Sequence, residues 1–257
     1  MKVLEYILET LKKRKMHFTL IDPAKQSPEE SKKLSIEVEN LGTDAIMVGG
    51  STNITPELMD ETLKEIKSNV KIPVIIFPNG LQSISKHADA IYFMSMLNSS
   101  DRDFIIGNQV KAALLIKKIG IETIPMGYIV VEPGMTVGKV GKAILIKRDD
   151  IKNAVSYALA AQFLGMKLVY LEAGSGAPNH VPPELIKAIK NEVIIPVIVG
   201  GGIRDKESVK ALIEAGADII VTGTLIEKFN DYKIRLKDII SYIRGREGGE
   251  DIRGVYK

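Results

Sequence analysis

A chain of 257 residues is a normal length for a single α/β barrel, and a composition that is 45% hydrophobic but only 5% aromatic predicts an aliphatic core. Its 35 basic and 32 acidic residues leave a formal charge of +3 and no basic patch, which argues against nucleic acid as a partner. The chain has no Cys, no recognisable signal peptide and no apolar run long enough to cross a bilayer, so we exclude thiolate catalysis and predict a cytoplasmic protein.

Short apolar, β-branched runs alternate with charged helical patterns along the whole chain, as in a parallel sheet whose strands are separated by helices. The predicted strands are HFTLIDP (17–23), DAIMVGG (44–50), PVIIFPNG (73–80), AIYFMSML (90–97), TIPMGYIVVEPG (123–134), LVYLEAGSG (168–176), PVIVGGGI (196–203) and ADIIVTGT (217–224). Their number predicts a closed (β/α)8 TIM barrel in one domain, residues 1–257. An open doubly wound sheet is the alternative, and the absence of GxGxxG after the first strand disfavours it.

Helical patterns occupy the intervals and both ends of the chain. An extra helix is predicted at Val3 to Lys15 and a C-terminal helix at Tyr232 to Arg244. A typical segment between two strands begins with Ser27 as N-cap and ends at Gly42, which is the pattern expected of an amphipathic helix. Residues 245–257 are charged and Gly-rich, and we predict a loosely ordered tail there.

Glycine-rich segments follow the last three predicted strands. They are GSG (174–176), GGGIRD (200–205) and GTL (223–225). In a barrel these segments lie side by side, and glycine allows backbone amides to approach an anion without a Cβ in the way. We therefore expect a phosphate monoester to bind there, although the same glycines also suit tight turns between strands and helices.

Polar residues that follow the first two strands suit a divalent cation. Asp22 ends the first strand, and Ser51 follows the second. Mg²⁺ takes one or two carboxylates together with phosphate oxygens and water, so Asp22 with Ser51 is a candidate metal site. Asp22 as a cap of the turn before Pro23, and Ser51 as a helix cap, remain open alternatives.

Glu172 is the strand-end acid closest to the predicted phosphate loops, and Glu132 is a second strand-end acid. This position makes Glu172 a candidate general base, with an ion pair to Arg204 as the structural alternative. No Lys ends a strand, which excludes a Schiff-base aldolase. None of the His residues ends a strand, and we interpret His17, His87 and His180 as surface or loop residues.

Six motifs in order resemble the geranylgeranylglyceryl phosphate synthase family of archaea, whose bacterial relatives make heptaprenylglyceryl phosphate. They are HFTLIDP, IMVGGS, YIVVEPG, YLEAGSG, VGGGIR and VTGT, and they span nearly the whole chain. The length and the segment EPGMTVGKVGKA (132–143) are more similar to the longer archaeal group. The resemblance implies Mg²⁺-dependent transfer of a geranylgeranyl group from its diphosphate to the 3-hydroxyl of sn-glycerol 1-phosphate, the first ether bond of archaeal membrane lipids.

The resemblance also assigns residues to the two substrates. Asp22 and Ser51 would hold Mg²⁺ against the diphosphate. The residues that would bind glycerol 1-phosphate are Tyr170, Leu171, Glu172, Ala173, Gly174, Ser175, Gly176, Gly201, Gly202, Gly223 and Thr224. Glu172 would accept the proton of the glycerol hydroxyl, and Tyr170 would help to hold the glycerol.

Other expectations concern partners and alternatives. Family members are commonly dimers or hexamers, and so apolar a product implies transient membrane contact at its release. Tyr92, Met94, Met96, Tyr128 and Val130 alternate on two strands and are either plain core or part of a groove for the prenyl chain. Alternatives to the main function are a heptaprenylglyceryl phosphate synthase, another phosphate-binding TIM-barrel isomerase or lyase, and a non-catalytic phosphate-binding scaffold.

Overall fold

Eight parallel strands form a closed barrel in chain order. A computed structural model of the protein describes residues 1–245. The strands are β1 (Met16–Ile21), β2 (Ala45–Val48), β3 (Val74–Ile76), β4 (Ala90–Met96), β5 (Glu122–Val130), β6 (Leu168–Glu172), β7 (Val197–Gly200) and β8 (Ile219–Thr222). Each overlaps a predicted run. Because β1 pairs with β8 as well as with β2, the barrel prediction is confirmed and the open-sheet alternative is wrong.

Helices surround the barrel. They are α1 (Val3–Leu11), α2 (Pro28–Leu41), α3 (Pro56–Lys67), α4 (Asn108–Ile119), α5 (Met135–Val140), α6 (Ile151–Phe163), α7 (Pro183–Glu192), α8 (Lys206–Glu214), α9 (Thr224–Lys228) and α10 (Tyr232–Ile243). Ser27 caps α2 by accepting a hydrogen bond from the amide of Glu30, and Gly42 ends it with a φ of 100°, as predicted. The structure ends α1 at Leu11 rather than Lys15. Beyond Gly245, the predicted tail lies outside the described residues.

The N-terminal helix closes one end of the barrel. Ile7 of α1 is fully buried in the same apolar cluster as the barrel-interior residues Met16 and Phe18. The carboxylate of Glu122, at the start of β5, accepts hydrogen bonds from the amides of Val3 at 2.7 Å and Leu4 at 3.0 Å. Those amides have no partner within a helix, so Glu122 both caps α1 and fixes it across the opening. The C-terminal strand ends are left as the accessible end.

Strand residues on the helix-facing side of the barrel are as buried as those in its interior, and this corrects the prediction for His17. His17 lies in β1 with no exposed surface, so the prediction of a surface or loop position is wrong. Its ring nitrogens are 2.9 Å from the hydroxyls of Thr43 and Thr222. Burial lowers the pKa of His17 to about 4, despite the nearby Asp44 carboxylate, so the ring is neutral at physiological pH.

Residues 1–245 contain no helix with both the length and the apolar character needed to cross a membrane.

Candidate active site

A cavity of about 300 Å³ opens among the C-terminal strand ends. The residues at or just after the ends of strands that line it include Asp22, Gly50, Ser51, Asn79, Glu172, Ser175 and Gly223. A second cavity, of about 650 Å³, is lined by Gly176 and Thr224, and Ser175 lines both. The side chains of Leu171 and Ala173 instead pack in the layer between the barrel and its helices, so only their backbone can face a ligand.

Glu172 is the buried acid of this site. It ends β6, is only 7% exposed, and accepts a hydrogen bond of 2.6 Å from the amide of Gly174. Burial raises the pKa of Glu172 to about 7, although the Gly174 amide and the hydroxyls of Tyr170 and Tyr128 act to lower it. A carboxyl group with this pKa can accept a proton near neutral pH, which is the property required of a general base.

The ion pair considered between Glu172 and Arg204 is not formed. The guanidinium of Arg204 donates to the carbonyl oxygens of Ala177 and Pro178 and so fixes the segment that follows β6. Among residues 1–245, the Glu172 carboxylate therefore keeps amide and phenol partners without a neighbouring cation. Burial, not offset by a cation of residues 1–245, is the physical reason that the pKa of Glu172 lies above, rather than below, its ordinary range.

An aromatic cluster lies beneath the carboxylate. The ring of Phe77 is 5.5 Å from Tyr128, 5.6 Å from Tyr170 and 6.0 Å from Tyr92, measured between ring centroids. Tyr128 and Tyr170 are directly paired in the register of β5 and β6 and are 5.2 Å apart. The Tyr92 hydroxyl is buried and has no hydrogen-bond partner among residues 1–245. Sequence reasoning missed the contact between Tyr128 and Glu172, although inward-facing Tyr residues near the ends of adjacent strands are a signal that could have found it.

Two positions beside the acid require glycine. A Cβ on Gly201 would lie 2.3 Å from Oε1 of Glu172, and a Cβ on Gly174 would overlap Met135. Both residues also have positive φ, 83° and 102°, which favours glycine. The loops after β6 and β7 thus pack directly around the carboxylate. Nearby, the hydroxyls of Ser175 and Thr224 are 2.9 Å apart and join the loops after β6 and β8.

The candidate metal ligands lie side by side at the ends of β1 and β2. A Cβ on Gly50 would lie 2.1 Å from Oδ1 of Asp22, so the carboxylate packs against the backbone next to Ser51. Oδ1 also accepts from the amide of Ala24 at 3.1 Å, so Asp22 does cap its own turn. The helix-cap alternative for Ser51 is wrong, because Thr55 caps α3. One carboxylate and one hydroxyl fit Mg²⁺ when a diphosphate and water complete its shell, and residues 1–245 contain no group of three or more potential metal-binding side chains.

Apolar side chains line the rest of the first cavity as it extends toward α4. Tyr92, Met94, Met96 and Tyr128, which were open between core and groove, all line it, whereas Val130 does not. Val130 is fully buried, so it belongs to the core. Further apolar walls come from Ile84, Ile91, Phe93, Phe104, Ala112, Ile116, Val137 and Val140. The cavity therefore joins a polar end near Glu172 to an apolar arm.

Together, these features define a (β/α)8-barrel enzyme whose site lies at the C-terminal ends of its strands. The family model described as the PcrB family matches residues 9–241, and the chain belongs to that family.

Similar proteins align with nearly the whole length of this chain. The chain is 56% identical to geranylgeranylglyceryl phosphate synthase of Picrophilus torridus, over 95% of this chain and 100% of the relative. It is 57% identical to the protein of the same name from Pyrococcus horikoshii, over 88% of this chain and 89% of the relative. The crystal structure of (S)-3-O-geranylgeranylglyceryl phosphate synthase from Thermoplasma acidophilum with its substrate sn-glycerol-1-phosphate superposes with a TM-score of 0.93. The T. acidophilum protein is 52% identical to this chain, and the superposition covers 95% of this chain and 99% of the T. acidophilum chain.

Proposed function

We propose that this protein transfers the geranylgeranyl group of its diphosphate to the 3-hydroxyl of sn-glycerol 1-phosphate, forming geranylgeranylglyceryl phosphate and diphosphate. This is the first ether bond of archaeal membrane lipids. The observation that carries the proposal is the position of Glu172, buried between glycine-rich loops on one side and an apolar cavity on the other. The names of its relatives supply the identity of the two substrates.

The acceptor would bind through the loops after β6, β7 and β8. Backbone amides of the glycines and the hydroxyls of Ser175 and Thr224 suit a phosphate group. We assign Tyr170 to Gly176, Gly201, Gly202, Gly223 and Thr224 to this subsite. The T. acidophilum relative, which is described as bound to sn-glycerol-1-phosphate, supports this assignment.

Glu172 would remove the proton of the acceptor hydroxyl. Its carboxylate is fixed by the amide of Gly174 and the hydroxyls of Tyr128 and Tyr170, so its lone pairs have a defined direction. The ionised carboxylate is the active form of a base, so we expect turnover to rise with pH through about 7. Tyr170 also lies against Gly200, where its hydroxyl can help to orient the glycerol.

The prenyl group would lie in the apolar arm of the first cavity. Its allylic carbon would face Glu172, so that the acceptor oxygen forms the new ether bond as the bond to diphosphate breaks. Tyr128 lines the cavity there, with the ring of Tyr170 5.2 Å away between centroids, and aromatic rings favour the partial positive charge that such a carbon would acquire. Asp22 and Ser51 would hold Mg²⁺, which supplies neutralisation of the charge that develops on the departing diphosphate.

We further propose that the protein acts in the cytoplasm as a homo-oligomer, a dimer or a hexamer, and contacts membrane transiently when the product leaves. Exposed apolar residues on α4, including Val110 at 65% and Leu114 at 82%, support contact with another apolar surface beside the cavity. Light scattering after size-exclusion chromatography measures the oligomeric state.

One assay separates the alternatives. The protein is incubated with labelled sn-glycerol 1-phosphate, Mg²⁺ and prenyl diphosphates of several lengths, and an organic-extractable product is measured. Highest turnover with the geranylgeranyl donor is expected, and preference for the heptaprenyl donor would identify the other member of the family. No product with any donor contradicts the proposal and leaves an isomerase, a lyase or a binding scaffold. Omission of Mg²⁺ in the presence of EDTA should abolish the product.

A further inference from the structure

A lysine stands where the two cavities meet. Lys25 lines both of them, as do Ser175 and Glu227. Its Nζ lies 2.8 and 3.0 Å from the two carboxylate oxygens of Glu227 and 3.5 Å from Oδ2 of Asp22. Its backbone amide donates to the carbonyl oxygen of Asp22 at 3.0 Å, so one turn fixes both the candidate metal ligand and the lysine.

The charge around the first cavity gives this lysine a special position. Among the described residues that line the cavity, Lys25 is the one cation, and Asp22, Glu172 and Glu227 are carboxylic acids. A diphosphate carries several negative charges, and an acid-rich wall repels it unless cations face it. A lysine suits this purpose because its ammonium sits on a flexible stem and binds oxygen atoms without a fixed geometry.

The ion pair of Lys25 with Glu227 can exchange partners readily. The Lys25 side chain is 45% exposed and that of Glu227 is 13% exposed, so solvent reaches the ammonium and weakens the ion pair. Glu227 lies on α9, directly after the candidate phosphate loop of Gly223 and Thr224, so the pair bridges the ends of β1 and β8. A ligand that enters between these strand ends therefore meets the ammonium and its carboxylate partner together.

We propose that Lys25 binds the diphosphate of the prenyl donor, and that Glu227 holds its ammonium in the free enzyme and competes with the diphosphate for it. When the bond between the allylic carbon and the diphosphate oxygen breaks, its electron pair stays on that oxygen. The Lys25 ammonium then donates a hydrogen bond to the more negative diphosphate, while the acceptor oxygen forms the ether bond and its proton passes to Glu172. This inference rests on the proposed function and adds a residue pair to it.

Two variants that break the same ion pair test the proposal, with inorganic diphosphate as the probe and isothermal titration calorimetry as the measurement, with Mg²⁺ and with EDTA. Lys25→Met removes the cation, so diphosphate should bind on the order of ten-fold more weakly. Glu227→Gln keeps the cation and removes its competitor, so diphosphate should bind about three-fold more tightly. Lys33→Met, which removes an exposed lysine of α2 outside both cavities, is the control for net charge.

Opposite shifts of the affinity by the two variants support the proposal, because loss of a merely structural ion pair would act in the same direction in both. Unchanged affinity in Lys25→Met, or weaker binding in both variants, overturns it. Thermal unfolding of each variant verifies that it is folded at the titration temperature. If the unmodified protein binds no diphosphate and forms no prenylated product, the proposed function fails as well, and this outcome is distinct from the loss of the lysine role alone.

Discussion

The buried carboxyl groups at the two ends of the barrel have different kinds of hydrogen-bond partner. At the N-terminal end, Asp44 is 2% exposed and accepts hydrogen bonds from Arg14 at 2.6 and 2.9 Å and from Arg244 at 3.2 Å. At the C-terminal end, Glu172 is 7% exposed, and its partners are an amide and two phenols. Within residues 1–245 no cation pairs with Glu172.

The same contrast holds for Asp218, which is the other buried acid of the N-terminal end among residues 1–245. Asp218 accepts from Lys15 and Lys190, each at 2.7 Å, and from the amide of Val197 at 2.8 Å. Cations compensate buried charge where the structure needs stability. Around Glu172, burial without a compensating cation in residues 1–245 raises the proton affinity, which costs stability of the ionised form and suits the carboxyl group to act as a base. The comparison predicts that substitutions at one end change catalysis and those at the other change stability.

The largest effect is expected from Glu172→Gln. The amide keeps the shape of the side chain but cannot accept the proton, so kcat should fall by roughly 10² to 10⁴ fold. Thermal stability at pH 8 should be unchanged or higher, because an uncompensated buried charge is removed. Initial rates with labelled glycerol 1-phosphate, together with calorimetric melting, measure both quantities. Turnover within a few-fold of the unmodified protein would mean that Glu172 is not the base.

Asp44→Ala should show the reverse pattern. It leaves Arg14, Arg244 and the amide of His17 without their shared acceptor, and we expect a loss of about 3 kcal/mol in the free energy of unfolding. Because Asp44 lies at the end of the barrel opposite the site, kcat per folded molecule should stay within about two-fold. Urea unfolding and active-site-normalised rates test this. A large fall in kcat for a fully folded variant would contradict the prediction that residues at the N-terminal end affect stability and not catalysis.

Two buried groups should make stability depend on pH in opposite directions. The pKa of Glu172 is raised from 4.5 to about 7, so its contribution is present below pH 4.5 and is lost as the pH rises to 7. The pKa of His17 is lowered from 6.5 to about 4, so its contribution is present above pH 6.5 and is lost as the pH falls to 4. Each group changes the free energy of unfolding by about 3 kcal/mol, and the two changes nearly cancel between pH 4.5 and 6.5.

In Glu172→Gln only the His17 effect of this pair remains, so the free energy of unfolding should rise with pH from 4.5 to 6.5. Parallel pH curves for the variant and the unmodified protein would contradict this assignment.

The smallest effect is expected from Tyr128→Phe. The Tyr128 hydroxyl favours the ionised form of Glu172, so its removal should raise the pKa of that carboxyl group further. The rising limb of the kcat/KM profile should then move to higher pH by up to about one unit, with a smaller change in the plateau rate. Phe163→Leu, at an exposed position of α6, serves as the control. An unshifted limb in Tyr128→Phe would show that the phenol does not set the proton affinity of the base.

Much of this architecture could be predicted from the sequence because it depends on local signals. The β-branched runs located all eight strands, Ser27 and Gly42 set the bounds of α2, and the GSG segment placed Glu172 beside its loops. The burial of His17 could not be predicted, because alternation along a strand does not distinguish a solvent-facing side from one that helices cover.

The long-range contacts of the site could not be predicted from the sequence for a different reason. Lys25 and Glu227 are 202 positions apart, and Phe77 reaches Tyr170 across the barrel interior. Such pairs depend on barrel closure and on the register between strands, which one sequence does not specify at atomic precision. The Mg²⁺ site and the role of Glu172 as the base stay predictions, and the experiments above address them.

The closure of the barrel by α1 has a consequence for how substrate length can evolve. Ile7 and the Glu122 cap block the N-terminal opening, and large side chains such as Met16 and Phe18 fill the axis. On the proposed function, a long prenyl tail would therefore leave the reacting centre sideways, toward the surface of α4, and would not run through the barrel. Substitutions along that one helix would then be enough to change the accepted donor length, while the eight strands and their packing stay as they are.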